Sequence, residues 1–139
     1  MKKFSLVAVI LLGVFACNSP ATKQQQPTSV TEPAVVASAE DGVSPAVAAN
    51  PDYIKGLALV QKSDCLGCHR VVETSVGPAY AAIAAKYEPT PSNITLLAKK
   101  IMEGGQGNWG EVPMAAHTGL AKEDAEQMVK YILLLKDAK

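Results

Sequence analysis

The pattern of apolar and polar positions divides the chain into three unlike stretches. Residues 4–15, behind Lys2 and Lys3, form an uncharged, largely apolar run. The run is too short to cross a bilayer as a helix and has the shape of the hydrophobic region of an export signal. Residues 18–50 are Pro, Thr, Ser, Gln, Ala and Val with few charges, no aromatic residue and no periodicity, as in a linker. Treated as a flexible coil, that stretch has a root-mean-square span of roughly 30 Å. From residue 51 onward apolar positions recur at helical spacing.

Within this last stretch Asn50 suits a helix cap, Pro51 the first helical position and Asp52 the positive end of the dipole. Ile54, Leu57, Ala58 and Gln61 then follow at helical spacing. Gly56 sits among them at a cost of about 1 kcal/mol against alanine, which a close helix–helix crossing explains. Val76-Gly77-Pro78 marks a turn, and residues 79–87 form a short helical stretch stopped by Glu88-Pro89-Thr90-Pro91. Ser92 or Asn93 caps the next helix, which carries Ile94, Leu97, Ala98 and Ile101 on one face and ends at Gly104-Gly105. A glycine-rich loop over 104–110 holds the single tryptophan, Trp109, and runs on through Val112-Pro113-Met114. The last helix, 121–136, puts Ala125, Met128, Val129, Ile132 and Leu135 or Lys136 on its inner stripe, with lysines toward its negative end. Ala121 and Lys122 open it where Ser or Asp would cap better.

Aromatic content is only 5%, so a core built on these helices needs filling by something besides its own side chains. Formal charge is balanced over the chain and again over 51–139, which argues against nucleic acid or a strongly charged partner. The three cysteines, at 17, 65 and 68, are an odd number for a disulfide framework.

Two of them account for the missing filler. Cys65-Leu66-Gly67-Cys68-His69 has the spacing at which a c-type haem is attached: thiols at i and i+3 share a helical face and reach the two vinyl groups, and the following imidazole falls beneath the iron. A zinc site would need a second CxxC or a pair of histidines, and none is present. A thioredoxin-like dithiol would need alternating strands and helices around the motif, whereas this region reads as helical and alanine-rich.

The third cysteine closes the leading apolar run. Val14-Phe15-Ala16-Cys17 is similar to the lipobox of bacterial lipoproteins, with Phe15 bulkier than that pattern prefers; an ordinary signal peptide is the alternative. Acyl chains on Cys17, at about 0.8 kcal/mol per buried CH₂, would anchor the chain durably. The expected organisation is a signal peptide over 1–16, the lipidated cysteine and linker over 17–50, and a folded domain over 51–139. Asn18 after the cysteine points weakly to the outer membrane.

The sixth position of the iron decides between electron transfer and ligand chemistry. Met102 and Met128 sit on helices, where methionine usually fills core gaps. Met114 follows a proline in an extended loop with no helical face to bury it, which favours it as the ligand. His117 is the rival, and a bis-histidine iron would have a lower potential.

Together these residues resemble the class I c-type cytochromes, most closely the short bacterial monohaem kind. The likeness runs from Asp52 to about Lys136, through the CxxCH motif, Val76-Gly77-Pro78, the passage from Ile101 to Trp109-Gly110, and Val112-Pro113-Met114. It implies an all-α fold, the small class I cytochrome c fold of about four helices wrapped around one covalently attached haem c. It also implies that Met114 is the distal ligand and that the Pro78 carbonyl accepts the free N–H of His69. Trp109 would then point its indole N–H at a haem propionate, Lys100 would help neutralise a propionate, and Gly56 and Tyr131 would mark the crossing of the first and last helices. For Lys100 a solvated helix face is an equal alternative. His117 departs from the pattern, since short bacterial members often carry there an asparagine that hydrogen-bonds the methionine sulfur.

The implied function is an electron carrier rather than an enzyme. The chain would be tethered on the periplasmic side of a bacterial membrane and would transfer single electrons between protein donors and acceptors of a respiratory chain, with no small-molecule substrate. A haem-bearing docking subunit of a larger oxidase or reductase is one alternative. A haem sensor or enzyme with an open sixth position is the other.

Overall fold

The computed structural model describes residues 42–139. The export signal, Cys17 and the first part of the linker lie outside the described residues, and so do the readings placed on them.

The elements follow one another as α1 (Pro45–Ala48), α2 (Pro51–Lys62), a 3₁₀ turn (Asp64–Gly67), α3 (Tyr80–Lys86), α4 (Pro91–Glu103), β1 (Gly105–Gly107), β2 (Gly110–Met114) and α5 (Lys122–Leu133). Asn50 caps α2, its Oδ1 accepting from the Asp52 amide at 2.8 Å, with Pro51 at the first position. Helix α4 is capped by Thr90, not by Ser92 or Asn93. Thr90 Oγ1 accepts from the Asn93 amide at 3.2 Å and Pro91 fills the first helical position, so the proline that reads as a stop is the start. Helix α5 begins behind Ala121 with no side-chain cap, and its acidic first turn, Glu123 and Asp124, favours the dipole instead.

Helix α5 is the centre of the packing and meets α2, α4 and α3. Ala125, Met128, Val129 and Ile132 are buried, as the stripe predicts, and Tyr131, Leu133 and Leu135 are buried with them. The inner face of α2 lies one residue away from the predicted one. Tyr53, Gly56, Leu57 and Val60 are buried, while Ile54 is 40% exposed against 1% for Tyr53. Both sets satisfy helical spacing, and the ring decides between them, because Tyr53 packs edge-on to Tyr131 at 5.1 Å and brings more apolar area than Ile54. At the crossing of α2 and α5 a Cβ on Gly56 would lie 2.3 Å from Tyr131 Cβ, so glycine is the residue that fits. Gln127 Nε2 donates to the Asp52 carbonyl and to Asp52 Oδ1, each at 3.1 Å, and fixes the same crossing.

Two stretches differ from their expected state. The glycine-rich loop folds back on itself as an antiparallel hairpin, pairing Gly105 with Met114 and Gly107 with Gly110. Positive φ at Gly104, Gly105, Gly107 and Gly110 makes that reversal possible. The end of the linker is also structured. Ser44 caps the single turn of α1, and Val43, Val47 and Ala48 pack on the core. Among the described residues no helix is long and apolar enough to cross a membrane.

Candidate functional site

The 3₁₀ turn holds the cysteine motif. Both the Cys68 and His69 amides donate to the Cys65 carbonyl, at 3.2 and 3.0 Å, which winds the two thiols onto one side of the turn. Cys65 is half-buried and Cys68 exposed, and neither is in a disulfide. Burial pushes the Cys65 thiol up from its ordinary value of 9.0. A dithiol reductant needs the opposite shift, so the environment does not suit thioredoxin-type exchange.

His69 is 8% exposed and its orientation is fixed from two sides. Nδ1 lies 2.7 Å from the Pro78 carbonyl oxygen, which can only accept, so Nδ1 carries the proton and Nε2 keeps a free lone pair. Tyr80 stacks on the ring at 5.2 Å and 16°. Gly77 completes the fit, since a Cβ there would lie 2.6 Å from His69 Cε1. Burial raises the Tyr80 hydroxyl far above its ordinary value, so it stays neutral beside the imidazole.

A cleft of about 310 Å³ opens beside this histidine, in the size range of small-molecule and cofactor sites. Cys65, Cys68, His69, Pro78, Lys100, Trp109 and Met114 all line it, so the haem-site residues read from the sequence come together in one place. Met114 ends β2 half-buried. Met128 reaches the same cleft from the buried stripe of α5, whereas Met102 packs against the core outside its lining. Trp109 sits in the hairpin, 45% exposed, with Lys86 Nζ 4.5 Å from its ring centroid and donating to the Asn108 carbonyl at 3.2 Å. Lys100 lies in the last turn of α4 with its ammonium beside Gly105. His117 also lines the cleft, but its Nε2 is 2.9 Å from Asp64 Oδ1 and its Nδ1 3.3 Å from the Ile101 carbonyl.

A free imidazole nitrogen, a thioether and two thiols around an apolar cleft are the donor set of a covalently attached haem, and the residues present fit that group. Four participants escape a reading of the sequence. Gly77 reads as a turn residue, and the histidine of the motif eight positions earlier is the hint that its ring needs room there. Tyr80 and Lys86 lie on the short helix after that turn, where an aromatic and a lysine carry no mark of their role. Asp64 meets His117 across 53 positions of sequence, and no local pattern announces that.

The Cytochrome c family model matches residues 53–136. The chain is 42% identical to cytochrome c-551 of Allochromatium vinosum over 83 residues, which is 60% of this chain and 88% of that protein. It is 41% identical to cytochrome c-552 of Nitrosomonas europaea over 78 residues, 56% of this chain and 76% of that protein. The crystal structure of wild-type Nitrosomonas europaea cytochrome c552 superposes with a TM-score of 0.54 at 39% identity, covering 57% of this chain and 98% of that one. The chain thus belongs to the cytochrome c family, as a class I c-type electron carrier with one covalently attached haem c.

Proposed function

We propose that the chain is a respiratory electron carrier held on the periplasmic side of a bacterial membrane by lipid on Cys17, passing single electrons between a protein donor and a protein acceptor. In this reading Cys65 and Cys68 would form the thioether bonds, His69 Nε2 and Met114 would hold the iron, and Lys100 and Trp109 would attend the propionates. The observation that carries it is the meeting of these residues at one cleft, with His69 held by Pro78 so that Nε2 is free to ligate.

The haem iron supplies one-electron chemistry between Fe(III) and Fe(II). The protein's part is to clamp the group and limit its rearrangement. The Pro78 carbonyl raises the basicity of the His69 ring, the Tyr80 ring limits its rotation, and the Met114 thioether would favour Fe(II). An apolar cleft disfavours the additional charge of Fe(III), so a positive potential is expected. His117 is engaged by Asp64 and Ile101, which supports Met114 over it as the sixth ligand. The mouth carries Val76, Val112 and Trp109, all exposed, beside the exposed Asp64 and Lys100, and these apolar side chains offer a redox partner a seat close to the haem edge.

Intact-mass measurement on protein extracted from membranes with mild detergent tests this reading. The expected mass is that of residues 17–139 plus one haem and the acyl groups of a lipoprotein. A mass without lipid contradicts the tether, and a mass without haem contradicts the carrier. A stoichiometric partner retained through the extraction would instead make the chain a docking subunit.

A further inference from the structure

His117 ties together three segments that are distant in sequence. Its backbone amide donates to the Ile101 carbonyl at 3.1 Å, its Nδ1 lies 3.3 Å from that same oxygen, and its Nε2 lies 2.9 Å from Asp64 Oδ1. A carboxylate accepts and does not donate, so Nε2 is the donor to Asp64. Asp64 opens the 3₁₀ turn one residue before Cys65, and His117 lies three residues after Met114. One residue therefore links the cysteine-bearing turn through its side chain, the end of α4 through its backbone amide, and the stretch that leaves Met114.

Besides His117, that stretch is held by Leu120, which packs against the core. Residues 115–120 contain no helix or strand, and the backbone bonds that restrain them run from the His117 amide to Ile101 and from the Leu120 amide to the His117 carbonyl. The Asp64 side chain is 87% exposed and that of His117 23%, so the pair adds little to global stability. Its influence falls on the local opening of the segment it bridges, which samples far lower free energies than the buried crossing of α2 and α5.

We propose that Asp64 and His117 form a clasp that sets how often the Met114 segment lifts from the cleft, which makes both of them positioning residues for the sixth ligand. This rests on Met114 being that ligand. The clasp keeps the sulfur at the iron by restraining the chain on its far side, without itself touching the metal.

The test uses the full haem-loaded protein and two readouts. One is hydrogen exchange of the His117 amide, with the Tyr131 amide in buried α5 as the reference. The other is the rate at which cyanide displaces the methionine in the oxidised form, followed by loss of the weak long-wavelength sulfur-to-iron band. Asp64→Ala should speed both by roughly two- to fivefold, the range a side-chain pair of this exposure supports, and leave Tyr131 unchanged. Asp64→Asn, which keeps an acceptor, should fall between wild type and Asp64→Ala, and Asp64→Ala should add nothing further when combined with His117→Ala. Unchanged rates in Asp64→Ala, or equal acceleration at Tyr131, would overturn the clasp while Met114 ligation stands. Absence of the band in the wild type would instead overturn Met114 ligation, and the clasp with it.

Discussion

Nδ1 of His69 lies 2.7 Å from the carbonyl oxygen of Pro78, and the residue before that proline leaves no room for a side chain against the ring. The Gly77 amide donates to the Cys68 carbonyl at 2.8 Å, so the backbone that would have to yield is itself tied to the cysteine turn. Gly77→Ala puts a methyl 2.6 Å from His69 Cε1 and forces the ring, the turn or both to move. Overpacking of this kind costs about 1–3 kcal/mol. Denaturant unfolding of the haem-loaded variant should show that loss, together with an altered ligand-to-iron spectrum. A loss under about 0.5 kcal/mol, the level of an indifferent surface change, would mean that the ring is not clamped there.

Residues 51–139 carry ten basic and ten acidic side chains, and the exposed lining of the cleft combines Val76, Val112 and Trp109 with one acid, Asp64, and one base, Lys100. Docking through such a face gains little from long-range attraction. Electron-transfer rates with a purified partner should change by less than about threefold between low and physiological salt, against the far steeper falls of electrostatically steered pairs. A steep decline would reveal a local charged patch that the balanced total conceals.

Acid should loosen the distal segment before it unfolds the helices. The hydrogen bond from His117 holds the Asp64 carboxyl below its ordinary value of 3.8, with help from backbone hydrogen bonding and the charge of His117. A carboxylate depressed in the folded state contributes fully above its unfolded value and loses that contribution as pH falls through the folded one. The Asp64 contribution is thus intact at neutral pH and disappears below about pH 4. Titration of the oxidised protein, followed by its sulfur-to-iron band, should show a transition in that range that is weaker in Asp64→Asn. An identical titration in the variant would remove Asp64 from the account.

What the sequence disclosed follows from how local each feature is. Cys65, Cys68 and His69 form one contiguous motif, so their chemistry is readable without a fold, and the helices announce themselves by apolar spacing. The inner face of α2 was legible only to within one residue, because Tyr53-Gly56-Leu57-Val60 and Ile54-Leu57-Ala58-Gln61 have the same period, and the contact with Tyr131 chooses between them. The hairpin from Gly105 to Met114 was hidden since glycines lack the alternating side chains that mark strands. Thr90 does not stand out as a cap in the sequence because Pro89 and Pro91 around it read as breakers. The stacking of Tyr80 on His69, the Lys86–Trp109 contact and the Asp64–His117 pair exist only once the chain has closed.

The most direct test of the central claim is the visible spectrum of the purified protein, oxidised and reduced, with and without carbon monoxide. Met114 as sixth ligand requires the weak long-wavelength sulfur-to-iron band in the oxidised form and a reduced form that carbon monoxide does not enter. Loss of the band with ready binding of carbon monoxide would mean an open iron, and the chain would then belong with haem sensors or enzymes.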